Sequence, residues 1–135
     1  KKIYNIFSSD SIFKTLPDSN KVYAFAFKAS VKRDSIGNIS VLKLTANDPI
    51  AYTIYPNYKL LQSIDYSLFM DGRDQATFLF PVLLQVGHAE DKTPAQFYSY
   101  EIAMKMFDSK NTESDITERI YFGPFISVID KTIRY

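Results

Sequence analysis

Few residues in this chain combine the type and spacing that chemistry requires. His88 is the only histidine, set in Gly87-His88-Ala89-Glu90-Asp91, where one imidazole lies near two carboxylates. A single ring rules out a multi-His metal site, and the ligand count is too low for firm metal binding. With no base beside a nucleophile, a His-dependent triad is not expected either. The segment reads as a solvated loop leaving a strand. Asp65, Asp71 and Asp74 cluster near one turn, yet glycoside hydrolysis needs two carboxyl groups held across a cleft. Asp71-Gly72-Arg73-Asp74 also lacks the ligand spacing of a calcium loop, so an ordinary Asp/Gly turn is expected. Ser35, Ser40, Ser63 and Ser67 have no Gly-x-Ser-x-Gly context. The four glycines are isolated, which excludes a phosphate-cradling loop. Without cysteine there is no thiol catalysis, disulfide framework or Cys-based zinc site. No catalytic, cofactor-binding or metal-binding residue is assigned, no cofactor is expected, and the chain is read as non-enzymatic.

The bulk properties bound the remaining possibilities. The 135 residues suit one domain, and 46% hydrophobic with 23% charged residues are globular values. Ten Tyr and eleven Phe, with no Trp, weight the chain toward sheet, where aromatic side chains fit a half-buried pleated face. Tyr52, Tyr55, Tyr58 and Tyr66 are candidates for an interface or an aromatic-lined pocket, but core packing is the favoured reading. Sixteen Lys and Arg against fifteen Asp and Glu leave a net charge of +1, so neither nucleic acid nor an anionic membrane is an expected partner. No apolar run approaches the ~20 residues of a membrane-spanning helix. Beginning Lys1-Lys2-Ile3-Tyr4 rather than with Met, the chain is expected to be a mature or trimmed form, any signal peptide already removed.

The elements that must position these residues follow from periodicity. Residues 1–7 suit a short strand or a packed arm, and Ser8-Ser9-Asp10-Ser11 supplies cap candidates for a helical turn at Ile12. In residues 22–33 the alternation of Tyr23, Phe25, Phe27, Ala29 and Val31 predicts a half-buried strand. The turn residues Asp34-Ser35-Ile36-Gly37-Asn38 lead into a return strand over 39–46. Asp48-Pro49 starts a helix, which Pro56 divides into pieces over about 50–55 and 57–64, with Tyr58, Leu61 and Ile64 as the buried stripe. A turn at Met70-Asp71-Gly72-Arg73-Asp74 precedes a hydrophobic strand over 76–86, whose internal Pro81 predicts an edge or a bulge. Thr93-Pro94-Ala95-Gln96 looks like a capping box before a helix over 97–107, although Tyr98, Tyr100, Ile102, Met104 and Met106 also alternate as a strand would. Residues 109–118 read as an exposed loop, and 119–122 and 125–134 as closing strands parted by Gly123-Pro124. The expected fold is α+β: a mainly antiparallel sheet with one or two short helices on one face, in a single domain spanning 1–135.

Over residues 22–86 this order resembles the C-terminal domain of TonB-type energy transducers, including stand-alone envelope modules of Bacteroidetes type. The matching pieces are 25–32, the hairpin 34–38, 39–45, the helical 60–64, Tyr66, Asp71-Gly72 and Phe80-Pro81-Val82. Within residues 1–135 there is no Pro-rich spacer, membrane anchor or clear Tyr-Pro step before the first strand, departures from the family joined by a long extension over 87–135. The resemblance implies a periplasmic or cell-envelope location and a partner that is a protein or peptide strand. An interaction module pairing an extended peptide with the edge at 39–45 or 125–134 is the leading expectation. A small-ligand pocket bordered by Tyr52, Tyr55 or Tyr58 is the second, and a carboxylate hydrolase using Asp71 or Glu101 the third.

Overall fold

The computed structural model describes residues 2–8, 11–17, 20–90 and 119–131. Helices α1 (Lys2–Phe7) and α2 (Ser11–Thr15) precede strands β1 (Lys21–Arg33) and β2 (Ile39–Ala46). Helix α3 (Ile50–Ile54), a 3-10 helix (Tyr58–Ser63) and α4 (Ser67–Met70) then lead to β3 (Gln75–Gly87), β4 (Arg119–Tyr121) and β5 (Phe125–Asp130). The fold is α+β, as the composition predicts. The five strands among the described residues form one mixed sheet: β1 is antiparallel to β2 and to β3, whereas β4 and β5 both run parallel to β3. The 87–135 extension therefore supplies the last row of the sheet that residues 22–86 begin. The proposed helix over 97–107 and loop over 109–118 lie outside the described residues.

The expected strand at residues 1–7 is instead helix α1. Ile3, Ile6 and Phe7 share one helical face, whereas a period of two would send Ile6 and Phe7 to opposite sides. Phe7 is buried and Tyr4 and Asn5 are exposed, so the packed arm exists but as a helix. Among the described residues there are five short helical segments rather than one or two: α1 and α2 precede β1, Pro56 parts α3 from the 3-10 helix, and the left-handed Asp71 ends α4. Just before α3, Asp48 accepts from the Ile50 amide at 3.0 Å, a local turn that leads the chain into the helix. At the turn, Asp71 takes φ 50° and Gly72 φ 76°, the left-handed geometry that Gly adopts without steric cost.

The core lies between these helices and one sheet face. Tyr23, Phe25, Phe27, Ala29 and Val31 of β1 join Ala76, Phe78, Phe80, Val82, Leu84 and Val86 of β3 in one buried cluster. On the other face Ala26, Thr77, Leu79, Pro81 and Leu83 are also buried, so β3 is covered on both sides.

Two irregularities are informative. In β2 the inward residues Ile39, Val41, Leu44 and Ala46 break the period of two. A bulge resolves the mismatch: Ser30 pairs with Lys43 and Val31 with Val41, leaving Leu42 as the extra, 65% exposed residue. Pro81, by contrast, sits at neither an edge nor a bulge, since β1 and β3 pair without a shift from Lys21↔Val86 to Lys32↔Gln75. Its partner Ala26 directs its own N–H and C=O toward Asn47, at 2.9 and 3.1 Å, away from β3. Ala26 and Pro81 are therefore a non-hydrogen-bonded pair, and the nitrogen of Pro81 faces the other way. There the neighbouring row is interrupted between β4 and β5. The missing donor falls at a gap in the ladder.

Candidate functional site: the outer edge of strand β2

The hairpin Asp34–Asn38 places β2 at one side of the sheet. Asp34 accepts from the amides of Ile36 and Asn38 at 3.0 and 2.8 Å, and Gly37 takes φ 92°, so the turn and the register are tightly set. In the β1–β2 ladder, Lys28, Ser30 and Lys32 direct their backbone groups toward β2. Ile39, Val41, Leu44 and Ala46 consequently direct theirs outward. One of these is covered: the Ala46 amide donates to the Tyr52 hydroxyl at 2.7 Å. Among the described residues nothing pairs with the outward groups of Ile39, Val41 and Leu44. Natural sheets usually blunt such an edge, and here only one end is closed.

A crevice of about 110 Å³ flanks the open end, lined by Ile39, Ser40, Val41, Gln62, Ile64, Asp65 and Tyr66. The far wall is held by local contacts. Tyr66 is buried against Phe78, ring centroids 4.9 Å apart, and donates to the Leu61 carbonyl at 2.6 Å. Asp65 accepts from the amide of Ser67 at 3.1 Å and from its hydroxyl, which fixes the turn into α4. Leu61, fully buried, pins the 3-10 helix above the sheet. The site thus combines a row of backbone donors and acceptors with a narrow recess whose accessible lining is mostly polar. Among the described residues of its lining, no nucleophile stands beside a base and no group of metal ligands gathers.

Among the described residues, those with chemical potential do not converge. His88 is half-buried: its amide donates to Asn20 at 2.9 Å, and its Nδ1 accepts from the Glu90 amide at 3.1 Å. This gives the loop after β3 a defined local geometry. Asp71 is exposed and lies 3.8 Å from Arg73, while Asp65 belongs to the crevice wall. Among the described residues no three His, Cys, Asp or Glu side chains gather as a metal site would require. Asp91 and Glu101 lie outside the described residues. Of the four tyrosines, Tyr55 and Tyr66 are buried and Tyr52 and Tyr58 half-buried. The first three place their hydroxyls on backbone groups: Tyr52 on Ala46, Tyr55 on the Phe7 carbonyl at 3.1 Å, and Tyr66 on Leu61. Sequence reading named the 39–45 edge but missed the wall formed by Gln62, Ile64 and Asp65. Its only signal was Ile64, an apolar residue falling at the end of the helical stripe.

Burial raises the Tyr55 and Tyr66 hydroxyls well above their ordinary value of 10.0, because desolvation penalises the phenolate. Above pH 10 the unfolded chain releases these protons and the native state does not, so stability declines as pH rises. The slope is up to about 1.4 kcal/mol per pH unit for each residue. Below pH 10 neither tyrosine contributes a pH dependence. Urea unfolding at pH about 8 and about 11 should therefore show a steep alkaline loss. The Tyr55→Phe and Tyr66→Phe variants should each start about 1 kcal/mol lower and lose less on going alkaline.

No helix among the described residues is long and apolar enough to cross a membrane. Searches against family models, curated proteins and solved structures return no match, so the geometry carries the functional reading.

Proposed function

We propose that this chain is a non-enzymatic binding module that captures an extended segment of a partner protein by strand addition to the outer edge of β2. The carrying observation is the edge itself. Ile39, Val41 and Leu44 present outward backbone groups beside a recess that can take a side chain, while Tyr52 closes the Ala46 end and sets where pairing must stop. In strand addition, main-chain hydrogen bonds supply affinity and pockets for alternate side chains supply specificity. The resemblance of residues 22–86 to TonB-type C-terminal domains supports the same reading, and with it a periplasmic or cell-envelope location. The alternative, a small-ligand protein with a cavity under the helices, draws less support. The rings of Tyr52, Tyr55 and Tyr58 pack on Phe27 at 6.2, 6.2 and 5.8 Å, and the crevice lies beside the edge instead.

Selection from a displayed library of short linear peptides tests the proposal. Enriched peptides should lose binding when N-methylated at alternate positions, since each methyl removes one ladder donor. They should also lose binding to Val41→Pro, which deletes an outward N–H on an edge strand where proline is tolerated. Asp71→Asn should bind normally. Enriched peptides that ignore both changes would overturn strand addition at β2.

A further inference from the structure

The ladder register sorts the surroundings of the β2 edge by charge. On the sheet face away from the helices, Lys28 is paired with Thr45 and Leu79, and Lys32 with Ser40 and Gln75. Lys43 pairs with Ser30, which pairs with Thr77, which pairs with Arg119. Of these four cations on one half of one face, Lys43 lies on β2 itself and Lys32 on the strand beside it. In a chain of net charge +1 this is a local concentration, and Lys32 and Lys43 are exposed. The helix side of the same edge differs. There the recess is lined by Ile39, Val41 and Ile64 together with Ser40, Gln62 and Asp65, so its accessible lining is mostly polar.

An extended segment paired with β2 projects alternate side chains to these two faces. Those on the helix side meet a recess of about 110 Å³, open to solvent, with room for a short side chain. Those on the other side stand next to Ser40 and Lys43, where directly opposed Cβ atoms are ~4.5–5.5 Å apart, with Lys32 one strand further. A second copy of β2 would set lysine-bearing edges side by side, and like charges across a ladder repel. Charge complementarity therefore selects a different occupant. Resting on the edge-pairing proposal above, we infer that the partner is an extended protein segment of alternating character, with short uncharged side chains toward the recess and Asp or Glu toward Lys43 and Lys32.

The test titrates the full chain with a soluble extended peptide alternating Glu and Val, with its Lys/Val counterpart, and with a short oligothymidylate. Backbone amide shifts report the site. The Glu/Val peptide should shift Ile39, Val41 and Leu44 and bind about fivefold or more tightly than the Lys/Val peptide, the size expected of two cross-strand charge pairs. Added salt should reduce that preference. A Lys32→Glu/Lys43→Glu double variant, altered only at exposed positions, should invert it. Equal binding of both peptides at β2 would overturn the charge rule and leave edge pairing standing. Absence of any shift at β2 with either peptide would overturn both. Oligothymidylate shifting Lys28, Lys32 and Lys43 while neither peptide does would assign the cationic face to phosphate instead.

Discussion

Replacing Phe27 with alanine is expected to cost about 3–5 kcal/mol, the range for truncating a buried aromatic side chain. Phe27 is fully buried and sits at the centre of the aromatic cluster, within 5.8–6.2 Å of the ring centroids of Phe7, Phe25, Tyr52, Tyr55 and Tyr58. Five neighbours on β1, α1, α3 with the residue that ends it, and the following 3-10 helix cannot all collapse into the vacancy, so a cavity term adds to the lost transfer energy. Against a total stability of ~5–15 kcal/mol this is a large fraction. The effect should reach the edge as well. Tyr52 leans on Phe27 and on Tyr58 while its hydroxyl covers the Ala46 amide, so exchange at Ala46 should accelerate along with the loss of stability. Leu42→Ala, at an exposed bulge residue, should change stability by less than about 0.5 kcal/mol. Denaturant midpoints for the two variants provide the check; a loss below about 1 kcal/mol for Phe27→Ala would mean that the cluster does not hold the helices to the sheet.

Val82→Pro is expected to destabilise by about 3 kcal/mol or more, although it moves a proline only one position along β3. The outward alternation that aims Pro81 at the break between β4 and β5 aims the N–H of Val82 at Phe25 in the interior of the sheet. A proline there removes a ladder bond, leaves a buried carbonyl of Phe25 without its donor, and displaces a fully buried side chain. Pro81→Ala, by comparison, restores a donor that faces the interruption, and its cost should stay within about 1 kcal/mol. Comparing urea midpoints of the two variants tests the register argument. Similar losses for both would contradict it.

Local sequence patterns revealed much of this architecture. The alternation from Tyr23 to Val31, the Asp34–Asn38 turn, the Asp48-Pro49 start and the Gly123-Pro124 interruption each act within a few residues, and each appears where expected. Long-range geometry was not accessible in the same way. Pro81 demands a place where a donor is not needed, but only the pairing of a distant row shows that the place is a gap in the neighbouring strand. The spacing of Ile39, Val41, Leu44 and Ala46 contained the bulge, since a gap of three among gaps of two cannot keep one face without it. Residues 1–7 misled because a short apolar segment fits two periods equally well until a neighbour such as Tyr55 accepts one face. The candidate site was half legible: β2 as an edge followed from the hairpin, while its facing wall depends on how Tyr66 docks on Phe78. The clustering of Lys28, Lys32, Lys43 and Arg119 required the register of four strands.

Hydrogen exchange along β2, measured on the chain alone and with a library-selected peptide, tests strand capture most directly. Alone, the inward amides of Ser40, Lys43 and Thr45 and the Tyr52-covered amide of Ala46 should be protected, and those of Ile39, Val41 and Leu44 should exchange quickly. With peptide bound, protection should rise at alternate edge positions and stop at Ala46. Bound peptide with Ile39, Val41 and Leu44 still exchanging at their free rates would contradict the account.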